Sequence, residues 1–334
     1  MMLSIIIVNY KTPQLVVDCL HTVFNEKFNF QLEIIIVDNA SGDSSRQIVT
    51  SAFPDIRWVQ MDYNAGFARA NNAGISQAKG EIVLLLNSDT LNKYNVIGKC
   101  CETFYLSQYA ACGVQLINPD GSPQISGNFV ITGGLNNLLP LPYVGKALKF
   151  LAQSINIKKT NVPDSDDETE VDWINGAFLM VKKETIEKAG LLDTDFFLYA
   201  EEAEWCGRIK KIGKLCIYGQ YKIIHLQGET ANQTFGSSGR GYYNLYDKKG
   251  LQIMLSNFLR IRKQFGLSWF IIQMAFYTLT IPVFLTGAFL QNIITLKNPL
   301  KSLVLWVGFT VNVLKLWKFA PRIITNSPYF YKVL

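Results

Sequence analysis

Through the first ninety positions, unbroken apolar runs alternate with segments of helical period. "LSIIIVNY" (3–10) is apolar and β-branched throughout, the pattern of a strand buried on both faces. Residues 12–25 carry a helical pattern, with Thr12 at the N-cap and Pro13 in the first turn. "LEIIIVDNAS" (32–41), "DIRWVQM" and "EIVLLLNSDT" (81–90) read as three more strands, and "ARANNAGISQAKG" between the last two reads as a helix. Strand–helix alternation with short joins predicts an α/β fold with a parallel, right-handed sheet. Ligands of such sheets bind beyond the carboxyl ends of the strands. The polar residues at those ends are Asn9, Asp38, Asn39, Asn87 and Asp89.

The pattern then loosens. Residues 118–145 are rich in Gly, Pro and Asn and read as loops, and "DSDDETE" (164–170) reads as a solvated acidic loop. "WINGAFLMVKKETIEKAG" (173–190) predicts a strand followed by a helix closed by Gly190. "EEAEWCGRIKKIG" (201–213) predicts a helix with acids first and bases last, which complements the helix dipole. "KLCIYGQYKIIHL" (214–226) returns to strand-like residues.

Past residue 240 the character changes. Residues 264–296 contain no Asp, Glu, Lys, Arg or His. "WFIIQMAFYTLTIPVFLTGAFL" (269–290) has the roughly 20 residues that a membrane-crossing helix needs. Gln273, Pro282 and several Thr dilute it, a composition that also suits a buried or monotopic helix. "SLVLWVGFTVNVL" (302–314), flanked by Lys301 and Lys315, suits the membrane interface or packing against the first segment.

Charge sharpens this division. Residues 1–239 hold 20 Lys/Arg and 25 Asp/Glu, and residues 240–334 hold 12 Lys/Arg and the single acid Asp247. A basic, apolar tail suits an anionic membrane surface. No basic block carries a nucleic-acid-binding motif, so nucleic acid is not an expected partner. Six cysteines without a CxxC pair suggest neither zinc nor a disulfide framework. The N-terminal apolar run has no basic region before it and is short for a signal peptide, which points to a reducing cytosolic setting.

Several residues are candidates for chemistry. Asp89, just past a buried strand, either caps the next element or holds a hard divalent cation that binds a diphosphate. Asp38 either closes an Asx-turn or accepts from a base or ribose. "NAGFARANNAG" (64–74) lets backbone approach a nucleotide but lacks the GxGxxG fingerprint of a dehydrogenase. His225 ends a strand and is either a structural residue or a ligand. "YAEEAEWC" (199–206) sets three glutamates between two aromatics. It is either a solvated helix start or an acidic working site.

"SIIIVNYKT", "IIIVDNASGD", "YNAGFARANNAGI", "AKGEIVLLLNSDT", "NGAFLMVKKETIEKAG", "DFFLYAEEAEWCGRIKKIG" and "IIHLQGET" occur in this order. Together they resemble the family-2 glycosyltransferases of the GT-A fold, within them the rhamnosyl- and galactofuranosyl-transferase-like enzymes, over roughly residues 3–235. The resemblance implies a catalytic domain over 1–239, and the apolar, basic composition of 240–334 adds a membrane-associated helical region. It implies that Asp38 contacts the nucleotide base. Asn9, Asn64, Gly66, Arg69, Asn72, Asn87 and Ser88 fall in the donor-binding stretches. Asn87-Ser88-Asp89 matches the Asp-x-Asp motif in an Asn-x-Asp form, with Asp89 and His225 on a divalent cation, Mg²⁺ or Mn²⁺. Gly176, Ala177, Glu201 and Trp205 fall beside the acceptor, with Trp205 either a sugar platform or a core residue. Glu202 matches the catalytic base, in a Glu-Glu pair where the family has Glu-Asp or Asp-Asp.

The implied activity is inverting transfer from a dTDP- or UDP-sugar, with rhamnose as the subgroup's sugar. The acceptor is a glycan or lipid-linked hydroxyl, at the cytoplasmic face of the plasma membrane. The alternative is an inactive membrane-attached sugar-binding or scaffold protein.

Overall fold

A computed structural model describes residues 1–129, 135–154, 161–162, 164–226, 234–237, 244–296 and 298–333. The end of the "IIHLQGET" motif, residues 227–230, lies outside the described residues.

The strands are β1 (Met2–Asn9), β2 (Gln31–Asp38), β3 (Arg57–Gln60), β4 (Ile82–Leu86), β5 (Thr90–Leu91), β6 (Ala111–Ile117), β7 (Gly127–Asn128), β8 (Asn161–Val162), β9 (Glu168–Val171), β10 (Trp173–Ile174), β11 (Phe178–Lys182) and β12 (Leu215–His225). The helices are α1 (Pro13–Phe24), α2 (Ser45–Ala52), α3 (Gly66–Gln77), α4 (Ile97–Leu106), α5 (Val144–Ser154), α6 (Lys183–Ala189), α7 (Glu201–Ile209), α8 (Lys248–Thr295) and α9 (Pro299–Thr325).

Two compact units make up the chain: Met1–Ile131 with Thr160–Phe197 and Glu201–Thr230, and Thr132–Lys159 with Leu198–Ala200 and Ala231–Leu334. The second unit therefore takes in more than the residues after 239.

The first unit is built on a mixed, mostly parallel sheet in the order β3-β2-β1-β4-β11-β6-β12-β5, with β9 also on β12, and helices around it, the α/β architecture expected. β3, β2, β1 and β4 run parallel, as do β6 and β12. Ile5, Ile6, Ile7, Ile35, Ile36, Leu84 and Leu85 are all buried, so these strands need apolar residues on both faces. The stretch 173–182 is not one strand. β10 pairs with β7 in a small second sheet, while β11 enters the main sheet antiparallel to β4 and β6. A turn at Asn175–Ala177 separates them, where the Asn175 side chain accepts from the Ala177 N–H. Thr12 stands at the start of α1, but its hydroxyl caps nothing. The Asn9 side chain accepts from the Thr12 N–H instead, at 3.3 Å.

The second unit centres on the antiparallel pair α8 and α9. α8 kinks at Gly266, where φ is 87°. Both helices are long and apolar enough to cross a membrane. The Asp247 side chain caps α8 through the Gly250 N–H, and Asn298 caps α9 through the Leu300 N–H. Inside, Gln252 ties α8 to the C-terminal segment, donating to the Tyr331 carbonyl and accepting from Val333.

Candidate active site

The carboxyl ends of β1, β2 and β3 meet in register: Asn9 lies opposite Asp38, and Asp38 opposite Gln60. Asp38 is buried and accepts from four donors. The Asn9 amide and Ser41 hydroxyl, each at 2.6 Å, reach Oδ1, and the Ser41 N–H and Gln60 amide, at 3.0 and 2.7 Å, reach Oδ2. Asn9 is thereby a holder of Asp38. Ser41, three residues on in the same loop, and Gln60, on the next strand, share that task.

The loop into α3 is braced from within. Asn64 accepts from the Asn39 amide and the Gly66 N–H. Gly66 has φ 75°, and a Cβ there would stand 2.1 Å from the Phe197 carbonyl oxygen, which accepts from the Phe67 N–H. Only glycine fits this crossing. Gly66→Ala is expected to cost about 1–2 kcal/mol for the left-handed backbone alone, plus the clash, and to lower the thermal midpoint. Arg69 donates to the Thr194 carbonyl and the Tyr63 hydroxyl. Asn72 is corrected from a donor-binding residue to a structural one. Both ends of its buried amide are spent on the Leu192 backbone, donating to the carbonyl and accepting from the N–H.

Past β4 the chain turns tightly through Asn87, Ser88 and Asp89 into β5. The Asn87 N–H donates to the Ala177 carbonyl, and the Thr90 N–H and hydroxyl both donate to the Asn87 carbonyl. β5 pairs with the end of β12, which sets His225 opposite Thr90 and brings His225 Nε2 to 3.4 Å from Asp89 Oδ1. Gln124 orients the ring. Its amide nitrogen donates to the His225 and Asn118 carbonyl-type oxygens, so its Oε1, 2.9 Å away, accepts from His225 Nδ1–H. In the neutral ring Nε2 then presents its lone pair toward Asp89. An imidazole nitrogen and a carboxylate oxygen converging in this way fit a divalent cation that keeps open positions for phosphate oxygens. Among the described residues no group of three or more His, Cys, Asp or Glu gathers around one point. Gln124 lies in a stretch read only as loops, 101 positions before His225, and no pattern in the chain links the two.

Three glutamates open α7, and the structure separates them. Two consecutive left-handed residues, Tyr199 at φ 74° and Ala200 at φ 65°, lead into the helix. Such backbone is strained and collects at functional sites. Within the second unit, the Ser256 hydroxyl donates to the carbonyl of Leu198, just before them. All three glutamates are buried, which removes the solvated helix start. Glu204 is neutralised by Arg208, whose guanidinium donates to both of its oxygens. Glu201 is 3% exposed, and its Oε2 has no hydrogen-bond partner. Burial first, and then the neighbouring Glu202, push its carboxyl well above the usual glutamate range.

Glu202 takes a different direction, because successive helix residues point about 100° apart. Its side chain lies against the turn before β11, where a Cβ on Gly176 would come within 3.4 Å of its Cγ.

Glu201→Gln carries a pH signature. The folded chain holds the Glu201 proton more tightly than the unfolded chain, so this contribution to stability is complete below the ordinary pKa of 4.5 and is lost as pH rises through the raised one. The glutamine variant lacks that loss. Its thermal midpoint relative to wild type is expected to rise as pH increases above the ordinary pKa of 4.5, a trend that scanning calorimetry reads. A difference that stays constant with pH would mean Glu201 is not held neutral.

Of the two readings left open for Trp205, its side chain takes the core one. It is wholly buried and donates from Nε1 to the Gly190 carbonyl at 2.8 Å. Ala177 is likewise a core residue by its side chain. Its backbone, through Asn87, is what joins the β11 turn to the Asn87–Asp89 turn.

Residues 4–143 match the family described as glycosyl transferase family 2. The low-salt glycan biosynthesis hexosyltransferase of Haloferax volcanii is 27% identical over 257 residues, which is 74% of this chain and 74% of that protein. The poly-beta-1,6-N-acetyl-D-glucosamine synthase of Staphylococcus epidermidis is 26% identical over 207 residues, or 61% of this chain, which spans only 45% of that protein. In fold, the chain is similar to a mannosyltransferase from Pyrobaculum calidifontis solved with GDP-Man and Mn²⁺. That match has a TM-score of 0.50 and 16% identity, and covers 97% of this chain and 87% of that one.

Proposed function

We propose, on the premise that this chain is a glycosyltransferase carrying a family-2 domain over residues 4–143, that it is an inverting enzyme. In this reading it moves a hexose from a nucleoside diphosphate sugar to a hydroxyl of a glycan or lipid-linked acceptor. The observation that carries the reading is one sheet edge holding three kinds of group. Asp38 stands there in its cradle, Asp89 faces His225, and Glu202 lies against the Gly176 turn.

Asp38 would receive the base or ribose by exchanging one of its internal donors. Asp89 and His225 would hold a divalent cation, which offsets charge on a departing diphosphate when bound. The Glu202 carboxylate takes the proton from the acceptor hydroxyl as that oxygen bonds to the anomeric carbon. The bond from that carbon to the diphosphate oxygen breaks on the opposite face, and the nucleoside diphosphate leaves with the electron pair. Burial and Glu202 together push the Glu201 carboxyl up, which disfavours a second negative charge beside Glu202. The apolar helices α8 and α9 and the basic balance of the tail support work at the cytoplasmic face of a membrane.

Release of nucleoside diphosphate over a panel of dTDP-rhamnose, UDP-sugars and GDP-mannose, with product anomer assigned by NMR, tests this reading. Release from one donor with inverted configuration is expected. Retained configuration would dismiss Glu202 as the base, and binding without release from any donor would favour a sugar-binding protein that has lost turnover.

A further inference from the structure

The helical pair α8–α9 buries a few polar side chains within an otherwise apolar interior and is apolar outside as well. Gln273, Thr280 and Asn312 are buried, whereas Ile271, Leu279 and Phe289 of α8 and Val304, Val307 and Val311 of α9 stand exposed. Water-soluble helices bury such residues on one face only, and exposed apolar faces of this extent mark an interaction surface. The polar hydrogens of the pair are spent internally. Trp306 Nε1 donates to the Ile281 carbonyl and Trp317 Nε1 to the Thr278 hydroxyl. Thr278, Thr280, Thr286 and Thr310 each return their hydroxyl to the carbonyl four residues back. That is the bookkeeping a hydrocarbon environment requires.

The other face of the pair is covered by polar, irregular chain of the same unit. Tyr277 donates to the Asn137 carbonyl, and Tyr143 donates to Gln291. Asn312 donates to the Leu245 carbonyl, and the Tyr246 carbonyl lies over Gly308 with no room for a Cβ. From Tyr277 to Gln291 these contacts run for about 20 Å along α8, at 1.5 Å per residue. Were the pair to cross a bilayer, this non-helical backbone would be carried into hydrocarbon with it. The uncharged stretch of α9 between Lys301 and Lys315 is also only about 21 Å long, against a hydrocarbon thickness of about 30 Å. Lys301, Lys315, Lys318 and Arg322 are exposed along α9, and no acid follows Asp247 to match them.

We infer that α8 beyond Gly266 and α9 form a monotopic anchor that lies in the plane of one leaflet of an anionic bilayer, its open apolar face among the acyl chains and its cations at the headgroups. The inference deepens the membrane-surface part of the proposed function and rests on it. Neither readout below uses turnover, so its failure is distinct from failure of the transferase reading.

The full chain is mixed with preformed phosphatidylcholine/phosphatidylglycerol vesicles and floated on a gradient. The wild type is expected to float, and the triple variant Leu279→Glu, Phe289→Glu, Val304→Glu to bind about tenfold less or weaker still. These three side chains are exposed, so circular dichroism and the thermal midpoint in solution are expected to hold. The second readout asks on which side the helix pair lies. All six native cysteines are buried, so single cysteines can be read against a silent background. Lys301→Cys, near the turn of the pair, and Leu106→Cys, exposed on the first unit, are treated with an impermeant maleimide outside intact vesicles. Labelling of both before detergent supports the in-plane anchor. Labelling of Cys at 106 with protection at 301 until detergent is added means the pair crosses the bilayer, and overturns it. A wild type that stays at the bottom of the gradient, or a triple variant that floats as well as wild type, overturns it too.

Discussion

Glu202→Gln is expected to lower the transfer rate by about 10²-fold or more while leaving donor affinity nearly unchanged. The glutamine keeps the size and the packing against Gly176 but cannot take a proton. Its neighbours cannot replace it. Glu201 is buried with its carboxyl pushed well above the usual glutamate range, and Glu204 already accepts two parallel bonds from Arg208. Glu201→Gln should therefore retain most of the rate, and Glu204→Gln should act through stability, by removing the charge that pairs with Arg208, which keeps its bonds to the Ala189 and Leu191 carbonyls. Single-turnover rates of the three variants, with donor affinity by calorimetry, decide the matter. A wild-type rate for Glu202→Gln beside a dead Glu201→Gln would transfer the role to Glu201. Gly176→Ala offers a milder probe, since its methyl would sit in van der Waals contact with the Glu202 side chain, at 3.4 Å from Cγ, and narrow the space beside it. A few-fold loss of rate without loss of donor affinity is the expected result.

The second large effect is expected at Asp89. Asp89→Ala should abolish turnover, and an excess of chelator should do the same to the wild type, because both remove charge opposite the departing diphosphate. His225→Ala should be severe as well. Gln124→Leu is the sharper test of the arrangement. It removes the acceptor at Nδ1 and frees the ring to change tautomer, so the metal concentration for half-maximal activity should rise about 10- to 100-fold while saturating metal restores the rate. Full activity in excess chelator would take the cation out of the mechanism. A Gln124→Leu enzyme with unchanged metal dependence would leave His225 a structural residue.

Sequence alone determined the periodic part of this protein and the identity of its acids. Strands buried on both faces carry unbroken apolar runs, so β1, β2 and β4 were legible one by one, and the polar residues at their ends were legible as a set. Motif order picked out Asp38, Asp89 and Glu202, and the uncharged tail announced its helices. Tertiary structure decided what depends on partners distant in the chain. β11 runs antiparallel because the turn at 175–177 reverses it, and its composition carries no direction. "YAEEAEWC" shows three like acids, yet one has its carboxyl pushed up by burial, one is paired and one faces the Gly176 turn, because burial and Arg208 act on each differently. Trp205 and Asn72 are polar-tipped residues in the right motifs, and only their bonds to Gly190 and Leu192 reveal them as structural. Gln124 reaches His225 across 101 positions, and the apolar tail is covered on one face by Tyr143 and Asn137. Periodicity reports what a residue's own element needs, but a hydrogen bond across the fold leaves no period in the chain, so these assignments rested on the folded geometry.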